Sequence, residues 1–495
     1  MIVSRYKLII NCLRWTLLLV ILITLGCCKG PALPGNAQIN NLSRKPVIFP
    51  DYTGITIPSN IAPLNFMVKE EGKFFMAVLE GDKGTVMKLK AEHKVFRFSP
   101  KKWTWFLREN IGSQFKVVVY GIVQDQWTRY ESFVIRVADE AIDPYLVYRL
   151  IPPGYETWSS MGLYQRDLTS FREKPIIENK YIEDNCVNCH AFANGSSENM
   201  MFHVRGSVGG TIIKQGNEIE KVDLKREETL SAGVYPSWHP SGKYVAFSTN
   251  RIEQYFHANP ELTIEVLDRQ SDLILYNTES NKITHVEGTE GDQYMETYPN
   301  WSPDGQSLYF SRTEADSLTS YNSIDYDIYR MAFDTVLAEF GKAEPVLLAS
   351  KKGKSASFPR ISPDGLYLLC TLHDYGTFPI WHKEADLCLV DLTTGKSEVS
   401  GIVNSDDADS YHSWAQNSRW IVFSSRRYDG RYTKLYISYL NREGQFQKAF
   451  LLPQQNPAFY DEFFYSYNRP ELITGAIELR QRSWIQKITG AIEAQ

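Results

Sequence analysis

One short pattern returns four times between residues 235 and 425, and it constrains the fold more than anything else in the chain. Tyr235-Pro-Ser-Trp-His-Pro-Ser-Gly runs into KYVAFS, and Tyr298-Pro-Asn-Trp-Ser-Pro-Asp-Gly runs into QSLYFSR. Phe358-Pro-Arg-Ile-Ser-Pro-Asp-Gly leads to LYLLCTL, and Tyr411-His-Ser-Trp-Ala-Gln-Asn-Ser to RWIVFSS. Pro-Asp-Gly is a turn: Pro presets φ, Asp bonds its own backbone, and Gly accepts a positive φ. The apolar anchors Trp238, Trp301, Ile361 and Trp414 stand 63, 60 and 53 residues apart. That is enough for one four-stranded sheet with its loops, and DLILYN, DIYRMAF, DLCLVDL and KLYISYL supply further strands between copies. A supersecondary unit repeated at this period buries its faces by stacking on its neighbours, as the blades of a β-propeller do.

These WSPDG-type repeats resemble the TolB-type β-propeller family over roughly residues 200–480, and the resemblance implies a scaffold rather than an activity. In the fourth copy Ala415-Gln-Asn-Ser replaces Ser-Pro-Asp-Gly, which weakens the turn and keeps Trp414 and the strand. About six blades are expected, with 202–222 and 458–475 adding a further blade or joining terminal strands to close the ring.

At 495 residues the chain exceeds what one core organises, so two or three domains are expected. From 45 to 150, alternating segments (NFMVK, KFFMAVLE, TVMKLK, FKVVVYGIV, ESFVIRVAD) are spaced as in a β-sandwich of immunoglobulin or fibronectin III type. A helix is expected at SPKKWTWFLREN, where Ser99-Pro100 occupies cap and first-turn positions. Residues 151–200 lack clean periods and read as a connector, with the propeller running from 201 to 495. The expected class is all-β: an N-terminal sandwich, a short haem-binding segment and a C-terminal propeller.

The haem expectation comes from Cys186-Val-Asn-Cys189-His190, a C-x-x-C-H sequence, the attachment motif of a single covalent haem c. Two thiols three positions apart on one helical turn can each add to a vinyl group, and the imidazole of His190 then reaches the iron. A thioredoxin-like redox pair would need a βαβ setting, and zinc would need a second ligand pair; neither is visible in the sequence. For the second axial ligand His203 is preferred and Met201 comes next, with Met200 and Met161 as further candidates. Arg205 suits a propionate, because guanidinium pairs with carboxylates. Trp158 and Tyr164 are candidate walls. Asp406, Asp407 and Asp409 beside His412 read as a solvated acidic loop before a cation site, and His239 and His412 as structural residues. Cys370 and Cys388 read as buried thiols. No G-x-S-x-G, Walker loop, nucleotide fingerprint or H-E-x-x-H supports a common enzyme class.

At the N-terminus Arg5, Lys7 and Arg14 precede an apolar run, Trp15 to Leu25, that ends at Gly26-Cys27-Cys28. This is a secretory signal (1–27). Leu25-Gly26-Cys27 resembles a lipobox, with Cys27 as the acylated residue and Cys28 as the alternative. Residues 28–44 read as a tether. The expected location is the cell envelope, lipid-anchored and facing the periplasm, with the outer membrane favoured. A net charge of −5 and the lack of a basic aromatic stripe give no reason to expect nucleic acid.

The combination resembles bacterial envelope lipoproteins that join a β-sandwich, a C-x-x-C-H segment and a TolB-type propeller. That implies a monohaem c-type cytochrome transferring electrons at the membrane, with a redox or envelope protein docking on the propeller. The alternative is a binding or scaffold protein whose propeller recognises a protein, peptide or glycan, with the haem structural or sensory. The anchor is testable by radiolabelled palmitate incorporation. The wild-type chain should take up label, Cys27→Ala should lose it, and retention by Cys27→Ala with loss in Cys28→Ala would move the site by one residue.

Overall fold

The computed structural model describes residue 33 and residues 39–153, 158–182, 185–227, 229–257, 264–289, 293–315 and 321–490. The signal segment, Cys27 and Cys28 lie outside them. The fold is all-β, with two α-helices among the described residues: α1 (Pro100–Glu109) and α2 (Gln481–Thr489).

Residues 40–137 form two sheets. Seven strands, including Phe75–Gly81, Ser113–Val123 and Phe133–Val137, face a three-stranded sheet of Ile48–Phe49, Phe66–Val68 and Val95–Phe96. The helix α1 starts at Pro100, whose missing N–H costs nothing in a first turn. It buries Trp103, Phe106 and Leu107 against Phe115, Phe98 and Phe66. This core is continuous with Trp420, Phe423 and Tyr436 of the last propeller blade. Polar contacts fix the same junction: the Trp420 indole donates to the Glu140 carbonyl at 3.0 Å, and Lys448 pairs with Asp51 at 2.6 Å.

Six antiparallel sheets of four or five strands then form a closed propeller. Blade 1 takes its innermost strand, Ser466–Ile473, from the C-terminal end of the propeller sequence, and Tyr145–Ile151, Gly162–Asp167 and Glu173–Glu178 from its N-terminal end. Blade 2 comprises Cys186–Phe192, Asn199–Arg205, Gly210–Gln215 and Glu218–Val222. Blades 3 to 6 begin with the inner strands Val234–Trp238, Tyr294–Trp301, Ser355–Ile361 and Asp409–Trp414. The segment 151–200, expected as a connector, therefore supplies outer strands of blade 1 and the inner strand of blade 2. The propeller begins near residue 145 and not at 201. Its weak periodicity has a cause: strands buried on both faces lose the polar alternation that marks a half-exposed strand.

The expected turns follow each anchor. Gly242, Gly305 and Gly365 take φ of 73°, 71° and 73°, and in the fourth copy Ser418 adopts 61° in their place. Asp304 and Asp364 accept from the serine hydroxyls two residues before them at 2.5 and 2.6 Å.

Ring closure places blade 1, made from two distant pieces of chain, beside blade 2, and α2 covers that seam. Trp484 and Ile488 are fully buried among Ile177, Phe202 and Ile473, with the Phe202 and Trp484 rings 5.3 Å apart. Trp484→Ala should cost about 3–5 kcal/mol of stability, the usual cost of emptying a large core site. A denaturant titration of the purified chain reads this directly; a change under about 1 kcal/mol would mean the seam holds without the helix.

Candidate site at one mouth of the central channel

Every inner strand carries a bulge at the same place. Cys189, Tyr235, Tyr298, Phe358, Tyr411 and Arg469 have φ between 46° and 55°, one residue per blade. In each blade the pairing register slips across that residue, for example between Asn188 and Ala191 and between Ser410 and Ser413. The left-handed conformation is unfavourable for a residue with a Cβ. A bulge that sets two residues opposite one accounts for it, bending the strand and re-aiming its side chains. The six residues form a ring around the channel. Four are aromatic, with neighbouring ring centroids 4.6, 4.0 and 5.0 Å apart from Tyr235 through Tyr298 and Phe358 to Tyr411. Cys189 and Arg469 complete the circle.

The C-x-x-C-H segment is thus the second blade's copy of the repeat. Cys189 stands at the aromatic position, His190 at that of Pro236, Pro299, Pro359 and His412, and Phe192 at that of the anchor tryptophans. It lies on a strand, and the expected helical turn is absent. In a regular strand residues three apart face opposite sides. The bulge at Cys189 removes that difficulty, and Cys186, Asn188 and Cys189 all line one cavity of about 300 Å³.

Five arginines also line it: Arg149, Arg205, Arg426, Arg431 and Arg469. No Asp or Glu does among the described residues. Ile151, Ile264, Val266, Phe378 and Trp381 give it an apolar wall, partly from the long hairpin of blade 3, Tyr244–Phe256 and Ile264–Asn277. One nitrogen of Arg149, Nη2, lies 3.1 Å from Cys186 Sγ and 3.2 Å from Met161 Sδ. Arg469 lies over the Tyr235 ring at 5.7 Å, and its Nη1 is buried without a hydrogen-bond partner.

His190 is 1 % exposed and is not among the residues that line the cavity. Burial, with the positive charges of Arg469, Arg149 and Arg360 nearby, holds its pKa down to about 3, so the ring is neutral. Its Nε2 is buried without a partner.

The candidate second ligands fall elsewhere. Met201 is buried between blades 2 and 3 with Trp238 and Phe247, and Met200 packs between blades 1 and 2 with Phe202 and Trp484. The His203 ring contacts Thr211 Oγ1 at 3.2 Å, and burial lowers its pKa to about 4. None of these three lines the cavity: their side chains pack against neighbouring strands and blades, and of this strand only its last residue, Arg205, reaches the wall. Met161 sits closer, beside Arg149, and Arg205 lines the cavity wall. Tyr164 donates to Glu178 at 3.0 Å, away from the cavity, and the Trp158 side chain lies outside the described set.

Other expectations resolve into structure. Asp409 is fully buried and pairs with Arg427 at 2.6 Å, so it is no part of a solvated loop, whereas Asp406 is exposed. Among the described residues no three His, Cys, Asp or Glu side chains converge as a metal site. The His239 Nε2 reaches the Gly305 carbonyl at 3.0 Å, and His412 Nε2 the Leu369 carbonyl at 2.9 Å. Cys370 and Cys388 are buried free thiols, opposite each other on neighbouring strands. The arginine set escaped the sequence reading apart from Arg205, because its members come from blades 1, 2 and 6, far apart along the chain.

No family model matches the chain, and no curated protein does. Among solved structures, TolB from Acinetobacter baumannii is 13 % identical over 72 % of this chain and 79 % of its own, with a TM-score of 0.44. A protein described as TolB from Agrobacterium tumefaciens is also 13 % identical, over 63 % of this chain and 92 % of its own (TM-score 0.37). An oligogalacturonate lyase from Vibrio parahaemolyticus covers 58 % and 85 % at 10 % identity (TM-score 0.34). No helix among the described residues is long and apolar enough to cross a membrane.

The buried histidines of blades 5 and 6 make a pH test. Burial is the largest cause that holds His373 and His412 at about 3, against about 6.5 for a free imidazole. A pKa depressed on folding gives stability that is complete above pH 6.5 and is lost as pH falls towards 3. Each residue then withdraws up to about 1.4 kcal/mol per pH unit. The drop in melting temperature between pH 7.5 and pH 5 should accordingly shrink in His373→Gln and His412→Gln; an unchanged drop would mean that neither ring is held neutral.

Proposed function

We propose that this chain is a binding propeller of the cell envelope which holds one covalent haem c at the Cys186–Cys189 mouth of its channel. The observation that carries the reading is the bulge at Cys189, which brings both thiols onto one partly apolar cavity edged by arginines. The donor set fits the group chemically. Both thiols are free and line the cavity, and the arginines suit propionates; the imidazole of His190 is neutral with an unpaired nitrogen but lies buried behind the cavity wall, so its approach to the group requires that wall to shift. When bound, the group supplies one-electron redox chemistry.

The chain's own residues do the rest. Arg149, with Nη2 3.1 Å from Cys186 Sγ, positions that sulfur at the edge of the cavity. Tyr235 and Tyr411 fill the channel behind Cys189 and exclude water from that side. The apolar wall from the blade 3 hairpin lowers the local dielectric, which strengthens every guanidinium–carboxylate contact in the cavity. A second reading, electron transfer at the membrane, draws on Arg205: it is exposed at the mouth, so an edge of the bound group would be within a partner's reach.

The deciding experiment is a pyridine haemochrome assay on protein made together with c-type maturation machinery. Wild type should carry one haem per chain that survives acid-acetone extraction, and Cys186→Ala/Cys189→Ala should carry none. If wild type also carries none while a control cytochrome matures, the haem and the electron-transfer reading both fall, and an envelope binding propeller is what stands. A loaded protein that cycles reversibly between oxidation states favours transfer; an inert one favours scaffold or sensor.

A further inference from the structure

The arginine side of the cavity is far more charged than two thiols and an imidazole require. Arg149 and Arg469 stand on adjacent strands of blade 1, where Arg149 pairs in register with Asn468, and Arg205 pairs in register with Cys186 on blade 2. The nearest acid to Arg469 is Glu471 at 4.0 Å, and that carboxylate is engaged with Arg360 at 3.3 Å. Arg469 is 9 % exposed, lines the cavity, and keeps Nη1 without a partner. An unpaired guanidinium N–H in a buried position costs stability unless something fills it. Arg149 Nε is likewise buried without a partner, and these two blade 1 arginines share with the exposed Arg205 of blade 2 one space walled by Ile264, Val266 and Trp381.

We propose that this cavity is a receptor for a ligand with two carboxylates on an apolar body, held by Arg149 and Arg469 on one side and Arg205 on the other. Guanidinium forks match carboxylates in plane and in charge, and the apolar wall takes the body between them. The inference rests on this mouth being the ligand site. It does not require the ligand to be haem: porphyrin propionates and the carboxylates of a free dicarboxylic acid present the same groups to these arginines.

The test uses the full chain as Cys186→Ser/Cys189→Ser, so that nothing is attached covalently. Mesoporphyrin IX, its dimethyl ester in the same detergent, and succinate are each titrated against tryptophan fluorescence. The diacid should bind at least about tenfold tighter than the ester, as expected when charge-assisted hydrogen bonds are lost. Arg469→Gln and Arg205→Gln should each narrow that gap, with circular dichroism unchanged; Arg205 is exposed, so its replacement leaves the core intact. If succinate binds and the porphyrin does not, the receptor stands and its ligand is a small acid, while the haem reading fails. Equal binding of diacid and ester, a gap that neither variant narrows, or no binding of any probe by a folded chain would overturn the proposal.

Discussion

The left-handed bulge in each inner strand is the constraint on which the rest of this structure depends. Six inner strands converge on the axis, and the bulge in each bends the strand and re-aims one side chain there. A residue at φ near +50° costs on the order of 1 kcal/mol when it carries a Cβ. The chain accepts that cost six times, and four of those times it places an aromatic there, whose burial in the central cluster of Tyr298, Phe358 and Tyr411 offsets it. The bulge thus builds the plug of the channel. Where the aromatic is replaced, the same backbone delivers a thiol or a guanidinium to the axis.

That substitution creates the site. Blades 1 and 2 lie at the seam where the ring closes, and they carry Arg469 and Cys189 at the bulge instead of rings. The two small or flexible side chains leave open what four aromatics fill elsewhere, so the cavity lies off-centre, towards the seam. Two features then shape it: the blade 3 hairpin, whose strands of 13 and 14 residues extend across the mouth, and Arg426 and Arg431 of blade 6. A scaffold of near-equivalent blades gains a one-sided site by relaxing its rule at adjacent positions.

The parts of this arrangement that could be read from sequence are those carried by local chemistry. Four blades announce themselves through Pro-Asp-Gly or its variants, because a turn needs particular residues at fixed offsets. The helix at Pro100 was legible for the same reason. Two blades were not. Blade 1 is assembled from 145–178 and 466–473, and no local pattern reports a pairing across some 300 residues. Blade 2 has its repeat written as Cys-His-Ala-Phe-Ala-Asn-Gly, in which Cys189 replaces the aromatic and Phe192 the tryptophan. The C-x-x-C-H pattern suggests a helical turn, the usual way to align thiols three apart, whereas the structure carries it on a bulged strand. Sequence proximity favours His203 and Met201 as further ligands, and the structure packs both away from the cavity, His203 against Thr211 and Met201 against Trp238.

A strand-borne C-x-x-C-H has a consequence that a helical one lacks. On a helix the two thiols and the imidazole sit on one short flexible turn, which can adjust to its ligand. Here Cys186 is fixed by ladder pairing with Arg205, Cys189 is held in the bulge between the paired residues Asn188 and Ala191, and His190 is buried in the wall beside Arg469 of blade 1. Packed cores respond to strain by shifting between discrete arrangements. Any ligand that engages His190 as well as the thiols therefore couples to the blade 1–blade 2 seam, the junction that closes the ring and that α2 covers. Occupancy of the mouth and integrity of the closure become one linked equilibrium, in which a ligand that binds only the closed ring stabilises it in proportion to its affinity.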